Sequence, residues 1–596
     1  MCQKFKNRIN LFCQAVHSSR YDIVVIPNKD PHQSEYLCEH DKFIQWLTGF
    51  TGSAATIIAT HDQLFLWTDS RYQVQAHNEL SGLPIQIHIT GPPTYSNPFQ
   101  WAIDNIQAYN IRSVGLDGML FTHNQIRDWM SKLEGYQVEL GTDLDLISPI
   151  FKDRPPLSKE PVFIHPRHFV SAPIINKLDM VREKMSQSKT THCILSSLDD
   201  IAWVLNLRGR DFEFSPLFKS YCIIGLDDVT LFVDGDKINS HVADYLDASK
   251  VRIASYKDIY RFDWNVQHTV CLSADPGQIN HSLFSSLPLD SIVESTNPVT
   301  LLKCLKNDQE LGHIKNAMRK DGVALVKAFM WLEEQIYKGS VDEIGFANKL
   351  TKERSRQPDY HGISFYPIVG FNSNGAIVHY RPSKDTSLPL DKNGILLCDS
   401  GAQYLDGTTD ITRTVCFDEV ENRVKECYTL VLKGLIALSS AVFPKGTSGL
   451  NLDILARSFL WNAGLDYGHG TGHGVGYFLN VHEGPVSISP RSRCSQALSP
   501  GIVTSIEPGY YEEGSFGIRI ENLVAVKSAN AEGFLSFDTL TLFPLDVKLI
   551  QSSLLNKDEI SWINQYHEKV LISLSEHLEP KEKDWLSKKC SPIFSN

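Results

Sequence analysis

The chain has 596 residues, of which 42% are hydrophobic and 21% are charged, and its formal net charge is -12 at pH 7. This length exceeds what one hydrophobic core supports and predicts several domains. The acidic balance argues against nucleic acid or an anionic membrane as the main partner, because both require concentrated Lys and Arg.

The cysteine pattern and the two ends of the chain predict a cytoplasmic protein. Twelve cysteines are scattered without a CxxC pair or a compact framework, which favours free thiols in a reducing compartment over a disulfide scaffold. The N-terminal segment lacks an apolar signal region and the C-terminal segment lacks a hydrophobic tail. We therefore expect neither secretion nor a membrane anchor.

The first domain is predicted to be an α/β unit over residues 1–153. Short apolar runs at residues 22–27 and 63–68 have the length and composition of buried strands, and helical periods lie between and after them. A Pro-rich stretch at residues 152–161 marks its end and predicts a linker.

Residues 154–298 are predicted to form a second α/β domain that is related to the first. Trp46 and Trp203 stand at matching places in two similar segments, residues 43–50 and 200–209, and Asp69 and Asp234 follow two similar apolar runs. This pattern is consistent with a duplication. Two chance strands that each end in Asp would look similar, so these segments alone leave the duplication open.

The third domain, residues 299–596, begins with a long amphipathic helix and ends in a helical extension. Apolar residues recur at helical spacing from Leu311 to Ile336; Asn307 or Asp308 can cap the start, and Gly339 can end the helix. A second helical pattern runs over residues 558–586.

Five candidate metal ligands stand in the third domain, each at a strand end or a tight turn. They are Asp399, Asp410, His473, Glu507 and Glu521. Four buried carboxylates would repel one another and would lose solvation unless cations neutralised them. The set therefore predicts one site that holds two divalent ions.

The local patterns suggest how these ligands converge. The strands that carry Asp399 and Asp410 are separated by a turn-rich segment, so they can form a hairpin. Glu507 ends another apolar strand, directly before a Pro-Gly turn. Residues 516–526 alternate as one strand, with Arg519 and Glu521 on the same face, where Arg519 can support the ligands.

Histidines cluster around the same ligands. His469 and His473 share the Gly-rich segment GHGTGHGVG, His482 stands in NVHEGP, and His379 stands in AIVHYRP. Glycines beside a histidine are expected to let the backbone approach a ligand closely.

The ligand set predicts both the metal and the class of reaction. Carboxylates with one imidazole and no thiolate favour Mn²⁺, with Zn²⁺ or Co²⁺ as alternatives. Two such ions can activate water and polarise a carbonyl, which predicts metal-assisted hydrolysis.

These motifs resemble those of the pita-bread metallopeptidases. The resemblance rests on the order and spacing of the five ligands and on HGTGHGVG and SIEPGYY around them. It extends to the cytosolic aminopeptidase P branch, the Xaa-Pro aminopeptidases, through WLTGFTGSA, WTDSRY, DIAWVLNLRG and DSGAQYLDGTTDITRT. The fold class that this implies combines α/β and α+β architecture: two related N-terminal α/β domains of the creatinase N-terminal type, followed by a pita-bread catalytic domain.

The resemblance implies roles for the metal ligands. Asp399 would bind one ion, His473 and Glu507 would bind the other, and Asp410 and Glu521 would bridge both. A metal-bound hydroxide would attack the carbonyl carbon of the Xaa-Pro bond, and Glu507 would carry its proton.

It also implies residues that contact the substrate. His379 and His482 would contact the substrate and steady the tetrahedral intermediate, and His469 would line the proline side of the pocket. Arg71 would reach the active site from the first domain, with a partner subunit as the alternative source. Ser70 replaces the Gly that is usual in this motif, WTDGRY.

The implied function is a metal-dependent aminopeptidase that releases the N-terminal residue from peptides with proline in the second position. A homodimer and a cytoplasmic location are implied with it, with no nucleic acid or membrane as partner. The alternatives are a prolidase that acts on Xaa-Pro dipeptides and a catalytically dead interaction scaffold. The five intact ligands disfavour the scaffold, because buried carboxylates without cations are costly to retain.

Overall fold

The computed structural model describes residues 2–90, 97–264, 270–490 and 496–594. They form two compact units. Unit 1 comprises Met1–His165 with Ala172–Thr300, and unit 2 comprises Pro166–Ser171 with Leu301–Asn596. Among the described residues, no helix combines the length and the apolar character needed to cross a membrane.

The first half of unit 1 is a six-stranded sheet with helices packed against it. Its strands are β1 (Ile23–Pro27), β2 (Thr56–Ala59), β3 (Leu64–Asp69), β4 (Ile85–Thr90), β5 (Ser113–Leu116) and β6 (Glu139–Gly141). Its helices are α1 (Cys2–His17), α2 (Phe43–Thr48), α3 (Gln73–Glu79), α4 (Pro98–Asp104), α5 (His123–Leu133) and α6 (Ile147–Ile150). The strand order is β4-β3-β2-β1-β5-β6, antiparallel from β1 to β3 and parallel toward both edges. The two predicted strands correspond to β1 and β3.

The second half of unit 1 repeats this topology. Its strands are β7 (Phe163–Ile164), β8 (His192–Leu195), β9 (Leu207–Arg208), β10 (Ser220–Gly225), β11 (Val229–Val233), β12 (Val251–Ser255), β13 (Leu272–Ala274) and β14 (Ile292–Glu294). Its helices are α7 (Ile174–Gln187), α8 (Leu198–Val204), α9 (Ser240–Ala248) and α10 (His281–Ser285). The order β12-β11-β10-β8-β13-β14 has the same parallel and antiparallel pairs as the first sheet. The duplication is therefore confirmed.

The residues that suggested the duplication occupy equivalent places. Trp46 lies in α2 and Trp203 in α8, the helices that precede β2 and β10. Asp69 and Asp234 cap the short turns after β3 and β11, where each carboxylate accepts a backbone N–H two residues further on. The equivalence extends to local capping chemistry, since an Asp at a turn start satisfies an otherwise unpaired donor.

The two halves of unit 1 are joined by polar contacts. The His32 ring in the first half lies 2.8 Å from the Ser196 carbonyl oxygen and 2.7 Å from the Tyr256 hydroxyl, both in the second half. The predicted boundary at residues 153 and 154 lies between the sheets, within one compact unit, and it stays a prediction.

Unit 2 combines four sheets with long helices. Its helices are α11 (Pro298–Lys303), α12 (Asp308–Ile336), α13 (Glu343–Ser355), α14 (Asn422–Ser439), α15 (Gly449–Asn462), α16 (Lys557–Ser575) and α17 (Pro580–Lys589). Its strands up to the middle of the unit are β15 (Tyr360–Ile363), β16 (Ile368–Phe371), β17 (Ile395–Ser400), β18 (Ala402–Tyr404), β19 (Gly407–Thr408) and β20 (Ile411–Cys416). The remaining strands are β21 (Phe443–Pro444), β22 (Gly472–Gly474), β23 (Glu483–Ile488), β24 (Val503–Ile506), β25 (Gly509–Glu512), β26 (Phe516–Arg519), β27 (Asn522–Ser528) and β28 (Phe534–Thr539).

Two of these sheets carry the candidate ligands. One is β16-β17-β20 and the other is β21-β28-β27-β24-β22-β23. A third sheet, β15-β18-β19, takes β18 and β19 from the segment between β17 and β20 and β15 from before β16, and β25 pairs with β26. The predicted hairpin is therefore a β17–β20 pair whose connection contributes two strands to a separate sheet.

The two predicted helical regions of the third domain are present, but their ends differ slightly from the predicted ones. Asn307 caps α12: its side chain accepts from the Glu310 N–H at 3.0 Å, and the Glu310 carboxylate accepts from the Asn307 N–H at 3.2 Å. Gly339, with φ +64°, comes three residues after the end of α12. The predicted C-terminal helical pattern is divided into α16 and α17, and Pro580 occupies the first position of α17.

The single strand predicted over residues 516–526 is wrong. β26 ends at Arg519, β27 begins at Asn522, and the two strands belong to different sheets. Between them, the Ile520 N–H donates to the Pro508 carbonyl and the Glu521 N–H donates to the Thr412 carbonyl at 3.1 Å. These contacts turn the chain, so alternation alone could not reveal the break.

Candidate metal centre

Two of the candidate ligands come from the β17–β20 pair. Asp399 lies on β17 and is paired in register with Thr412, while Asp410 directly precedes β20. Both side chains are buried, with 7% and 4% of their residue surfaces exposed. Because the two strands are antiparallel neighbours, Asp399 and Asp410 come from the same end of the pair.

Glu507 and Glu521 come from the β24–β27 pair. Ile506 is in register with Asn522, so Glu507 follows β24 and Glu521 precedes β27 at the same end. Glu521 is 1% exposed, whereas Glu507 is partly exposed. The two glutamates therefore lie at the same end of two neighbouring interior strands of the larger sheet.

His473 lies on β22, between two glycines that allow close strand packing. A Cβ at Gly472 would lie 2.1 Å from the Ser505 carbonyl oxygen, and one at Gly474 would lie 2.3 Å from the Glu483 carbonyl oxygen. We expected these glycines to let a ligand approach the backbone. The structure instead shows that they let neighbouring strands approach.

Four of the five side chains lie close together, and Asp399 interacts electrostatically with two of them, Asp410 and Glu507. Ligand atoms of Asp410, His473 and Glu521 all lie within 4.8 Å of one another. His473 Nε2 is 3.5 Å from Asp410 Oδ2 and 3.5 Å from Glu507 Oε1. His473 Nδ1 lies 3.0 Å from the Gly474 carbonyl oxygen, which favours a proton on Nδ1 and leaves Nε2 facing the carboxylates.

Arg519 connects Asp399 to the rest of the cluster. Its Nη2 donates to Asp399 Oδ2 at 2.6 Å, and its Nε lies 3.3 Å from Thr412 Oγ1, which donates to Glu521 Oε2 at 2.8 Å. Arg519 is 2% exposed. The predicted supporting position of Arg519 thus has direct geometric partners, although one guanidinium cannot neutralise four carboxylates.

Burial and mutual repulsion make the carboxyl groups resist ionisation. Burial raises the pKa of Asp399 to about 7, with Arg519 opposing the shift and Asp410 adding to it. Burial, then the charges of Asp410 and Glu507, raise the pKa of Glu521 well above its usual value. Burial also raises the pKa of Glu507, and His473 opposes that shift.

His473 shows the complementary effect. Burial works against its charged form, but the hydrogen bond to Asp410 and the charge of Glu507 raise the pKa of His473 to about 9. A proton on this imidazole partly offsets the surrounding negative charge.

The donor set fits divalent cations. Asp399 Oδ1 and Glu521 Oε1 are buried and have no hydrogen-bond partner among the residues that the structure describes. Buried carboxylate oxygens normally require a partner. With an imidazole Nε2 aimed at the same space, the set has the composition of an oxygen-rich site for hard or borderline metals.

The predicted substrate histidines lie around this cluster. The His482 and His473 rings are 4.3 Å apart in an edge-to-face arrangement. His469 Nε2 lies 2.8 Å from the Tyr511 hydroxyl, which accepts from Arg519 Nη1 at 2.6 Å. His379 follows Val378, whose carbonyl oxygen is 3.3 Å from Arg519 Nη2. Tyr511 was missed as a site residue, although it stands in the quoted motif SIEPGYY.

Arg71 lies in unit 1, where it forms a two-pronged ion pair with Asp69. Its Nε and Nη2 donate to the two Asp69 oxygens at 2.9 and 2.7 Å. Its contribution to a site in unit 2 stays a prediction.

Four segments of the chain match known protein families. Residues 8–144 and 153–310 each match the creatinase/prolidase N-terminal domain, residues 312–528 match metallopeptidase family M24, and residues 533–593 match the C-terminal region of that peptidase. The two N-terminal matches agree with the repeated topology of unit 1.

Relatives resemble the chain over nearly its whole length. Aminopeptidase P1 of Arabidopsis thaliana is 35% identical and aligns with 97% of this chain and 98% of its own. Xaa-Pro aminopeptidase 1 of Dictyostelium discoideum is 37% identical, with 96% and 94% covered.

A solved structure agrees in fold and in length. It is the X-prolyl aminopeptidase of Caenorhabditis elegans, described as a cytosolic enzyme with a di-nuclear active site. It superposes with a TM-score of 0.94 at 33% identity, and the match covers 100% of both chains. On this evidence, the chain belongs to the Xaa-Pro aminopeptidase P family of M24 metallopeptidases, with two creatinase-type N-terminal domains before the pita-bread domain.

Proposed function

We propose that this protein is a metal-dependent aminopeptidase that releases the N-terminal residue from peptides with proline in the second position. The observation that carries the proposal is the grouping of Asp410, His473 and Glu521, with Glu507 beside His473 and with Asp399 in electrostatic contact with Asp410 and Glu507. Two buried oxygens of this set, Asp399 Oδ1 and Glu521 Oε1, have no hydrogen-bond partner among the described residues. The full-length similarity to Xaa-Pro aminopeptidases supplies the substrate class.

The five side chains would hold two divalent ions. Asp399 would bind one ion, His473 and Glu507 the other, and Asp410 and Glu521 would bridge them. When bound, the ions supply Lewis acidity that activates water and polarises the substrate carbonyl. The oxygen-rich donor set favours Mn²⁺, with Zn²⁺ and Co²⁺ as alternatives.

Glu507 is the group that we assign to proton transfer. Its partly exposed carboxylate lies beside His473, and burial raises its pKa. A carboxylate held beside the attacking water can accept a proton and return it. It would take the proton of the attacking water and deliver it to the leaving proline nitrogen.

Three histidines would position the substrate. His379 and His482 would contact the peptide and stabilise the charge that develops on the carbonyl oxygen. His469 would line the proline side of the pocket, where its ring is fixed through Tyr511. Arg71 would contribute from the N-terminal part of this subunit or of a partner.

The enzyme is further proposed to be a cytoplasmic homodimer that acts on peptides. The net charge of -12 supports the exclusion of nucleic acid and anionic membranes as main partners. The similar X-prolyl aminopeptidase of Caenorhabditis elegans is described as a cytosolic enzyme with a di-nuclear active site, which supports the proposed location and the proposed number of metal ions.

Three substrates test the proposed specificity. Protein loaded with Mn²⁺ is incubated with an Xaa-Pro-Pro tripeptide, an Xaa-Pro dipeptide and an Xaa-Ala-Pro tripeptide, and the released residue is quantified. We expect cleavage of the Xaa-Pro-Pro tripeptide with release of its first residue. The Xaa-Ala-Pro tripeptide should stay intact.

The other outcomes separate the alternatives. Cleavage of the dipeptide alone would identify prolidase activity. Failure to cleave any of the three, with metal bound and the protein folded, would favour the interaction scaffold.

A further inference from the structure

An ion pair on α15 lies behind the segment that carries His469. Asp453 and Arg457 are one helical turn apart, and Arg457 Nε donates to Asp453 Oδ2 at 2.7 Å. Each side chain is 3% exposed. The pair packs against residues 467–471, which we call the 467–471 segment.

Arg457 holds the first part of this segment through main-chain carbonyls. Its Nη2 donates to the His469 carbonyl oxygen at 2.7 Å, and its Nη1 donates to the Tyr467 carbonyl oxygen at 2.8 Å. The guanidinium carbon also lies 3.8 Å from the centre of the Tyr467 ring. The planar guanidinium thus serves two carbonyls, the two carboxylates of Asp453 and Asp466, and an aromatic face at once, which a lysine cannot reproduce.

Asp453 holds the last part of the segment. The Thr471 hydroxyl donates to Asp453 Oδ1 at 2.6 Å, and the Tyr467 hydroxyl lies 2.5 Å from the same Thr471 oxygen. The Thr471 carbonyl oxygen in turn accepts the Glu507 N–H at 2.8 Å. Thr471 therefore connects Asp453 to the backbone of Glu507. We call these contacts the Asp453 arm, and the contacts of Arg457 with the His469 and Tyr467 carbonyls the Arg457 arm.

We propose that Asp453 and Arg457 are positioning residues for the peptidase reaction, Arg457 acting through His469 and Asp453 acting through Thr471 and Glu507. The proposal rests on the proposed function, because it assigns to His469 a contact with the proline side of the substrate. Neither residue touches the cluster of candidate metal ligands with its own side chain.

The fixed ring of His469 explains why a small displacement matters. His469 Nδ1 lies 2.7 Å from the Gly470 carbonyl oxygen and Nε2 lies 2.8 Å from the Tyr511 hydroxyl. Both ring nitrogens are therefore engaged, and the ring follows its backbone. Loss of the Arg457 contacts would shift this backbone and the ring with it.

A double-mutant cycle between Arg457 and His469 tests the Arg457 arm. The variants are Arg457→Lys, His469→Ala and the double substitution, each loaded with Mn²⁺. The readouts are KM and kcat for an Xaa-Pro-Pro tripeptide and, by calorimetry, the Kd of the product dipeptide Pro-Pro. The calorimetric arm works even where turnover is too slow to measure.

We expect Arg457→Lys to weaken Pro-Pro binding and raise KM by about 10-fold, which lies within the range for residues that orient a ligand group. In the His469→Ala background the same substitution should change Kd by less than about 2-fold, because distant and independent sites add while coupled sites do not. A full 10-fold effect in both backgrounds would overturn the proposal and leave a structural role only.

Thr471→Val tests the Asp453 arm without altering the ion pair. It removes the hydroxyl that donates to Asp453 and keeps the side-chain shape. We expect kcat to fall by about 10-fold while the Kd of Pro-Pro stays unchanged, because this arm leads to Glu507. An unchanged kcat would remove the Asp453 arm from the proposal.

Arg208→Lys is the matched control. Arg208 is also buried, and it donates to the Ala202 and Leu207 carbonyls at 2.9 Å in unit 1. It should lower stability without changing the Kd of Pro-Pro, which separates a general effect of a buried Arg→Lys change from a positioning effect. If the unsubstituted protein cleaves no Xaa-Pro-Pro peptide, the proposed function fails. If it cleaves but shows no coupling, only this inference fails.

Discussion

The ligand carboxyl groups of unit 2 would hold protons that metal ions must displace. The pKa of Asp399 is raised to about 7, and the pKa of Glu521 is raised well above its usual value, with burial as the first cause of each shift. The pKa of His473 is about 9, because its neighbouring carboxylates outweigh its burial. Metal binding requires all three groups to lose their protons.

This linkage predicts that metal affinity rises with pH between about 6 and 9. Below pH 7, Asp399 and His473 are protonated in the metal-free protein, and each proton competes with the ion. As the pH passes about 7 and then about 9, first Asp399 and then His473 lose their protons, so this competition ends. Calorimetric titration with Mn²⁺ at several pH values, in buffers of different ionisation enthalpy, should show net proton release.

An affinity that falls as the pH rises from 6 to 8 would contradict this sign. A titration with no buffer dependence would show that the ligands are already deprotonated, so that the raised pKa values of Asp399 and His473 do not govern binding.

At the same scale, Glu507→Gln should separate proton transfer from folding. The amide keeps the size of the side chain but cannot accept the proton of water, so kcat should fall by about 10²- to 10⁴-fold. Turnover of an Xaa-Pro-Pro peptide, metal content and the unfolding temperature are measured together. Glu512→Gln, on β25 and partly exposed, is the control and should keep its activity.

A Glu507→Gln variant that retains near-full turnover with its metal would remove Glu507 from the proton-transfer role. Loss of metal together with turnover would instead assign it to ligation alone.

The strand β22 illustrates how an element positions a ligand. It is only three residues long and lies between β23 and β24. The backbone that carries His473 therefore has a neighbouring strand on each side. The strands come so close at Gly472 that a Cβ there would lie 2.1 Å from the Ser505 carbonyl oxygen. A main-chain oxygen cannot rotate away as a flexible side chain would.

Gly472→Ala should therefore destabilise the protein by about 1–3 kcal/mol and reduce activity, as overpacking does elsewhere. Gly470→Ala is a matched control in the same segment, because its Cβ would meet nothing closer than 3.5 Å. Denaturant unfolding measures both. Equal destabilisation by the two substitutions would contradict the packing explanation.

At the scale of the whole molecule, the two compact units carry separate hydrophobic cores. Among the described residues, some core clusters are formed by residues of unit 2 and others by residues of unit 1. All five candidate ligands belong to unit 2. A ligand that binds only the folded form of one unit stabilises that unit by mass action.

Scanning calorimetry of the full chain should then show a transition that shifts when Mn²⁺ is removed with a chelator and another that does not. Metal at 100 times its Kd corresponds to about 2.7 kcal/mol of added stability. A single transition that shifts as a whole would show that the units unfold together.

Local patterns determined much of this protein. Alternation and turn residues located β17, β24 and the ligands Asp399 and Glu507, and helical spacing with a capping residue located α12 and Asn307. These features depend on interactions within a few residues, which a sequence displays directly. The similar halves of unit 1 were also visible, but their shared strand order became evident only in the fold.

Other features were decided by tertiary structure alone. Alternation continued through Ile520, yet hydrogen bonds to Pro508 and Thr412 place β26 and β27 in different sheets. Arg519 pairs with Asp399 across 120 residues of chain. The ion pair of Asp453 and Arg457 resembles any i, i+4 pair on a helix.

The five candidate ligands could be singled out because each one stands in a segment with a local signature, a strand end or a Gly-rich turn. The partners that orient them could not be predicted, because those contacts join segments distant in the sequence. Such contacts form only when sheets and helices pack, and no local periodicity encodes them. The sequence by itself thus determined the candidate metal ligands of this protein, and the tertiary structure decided how those side chains are held.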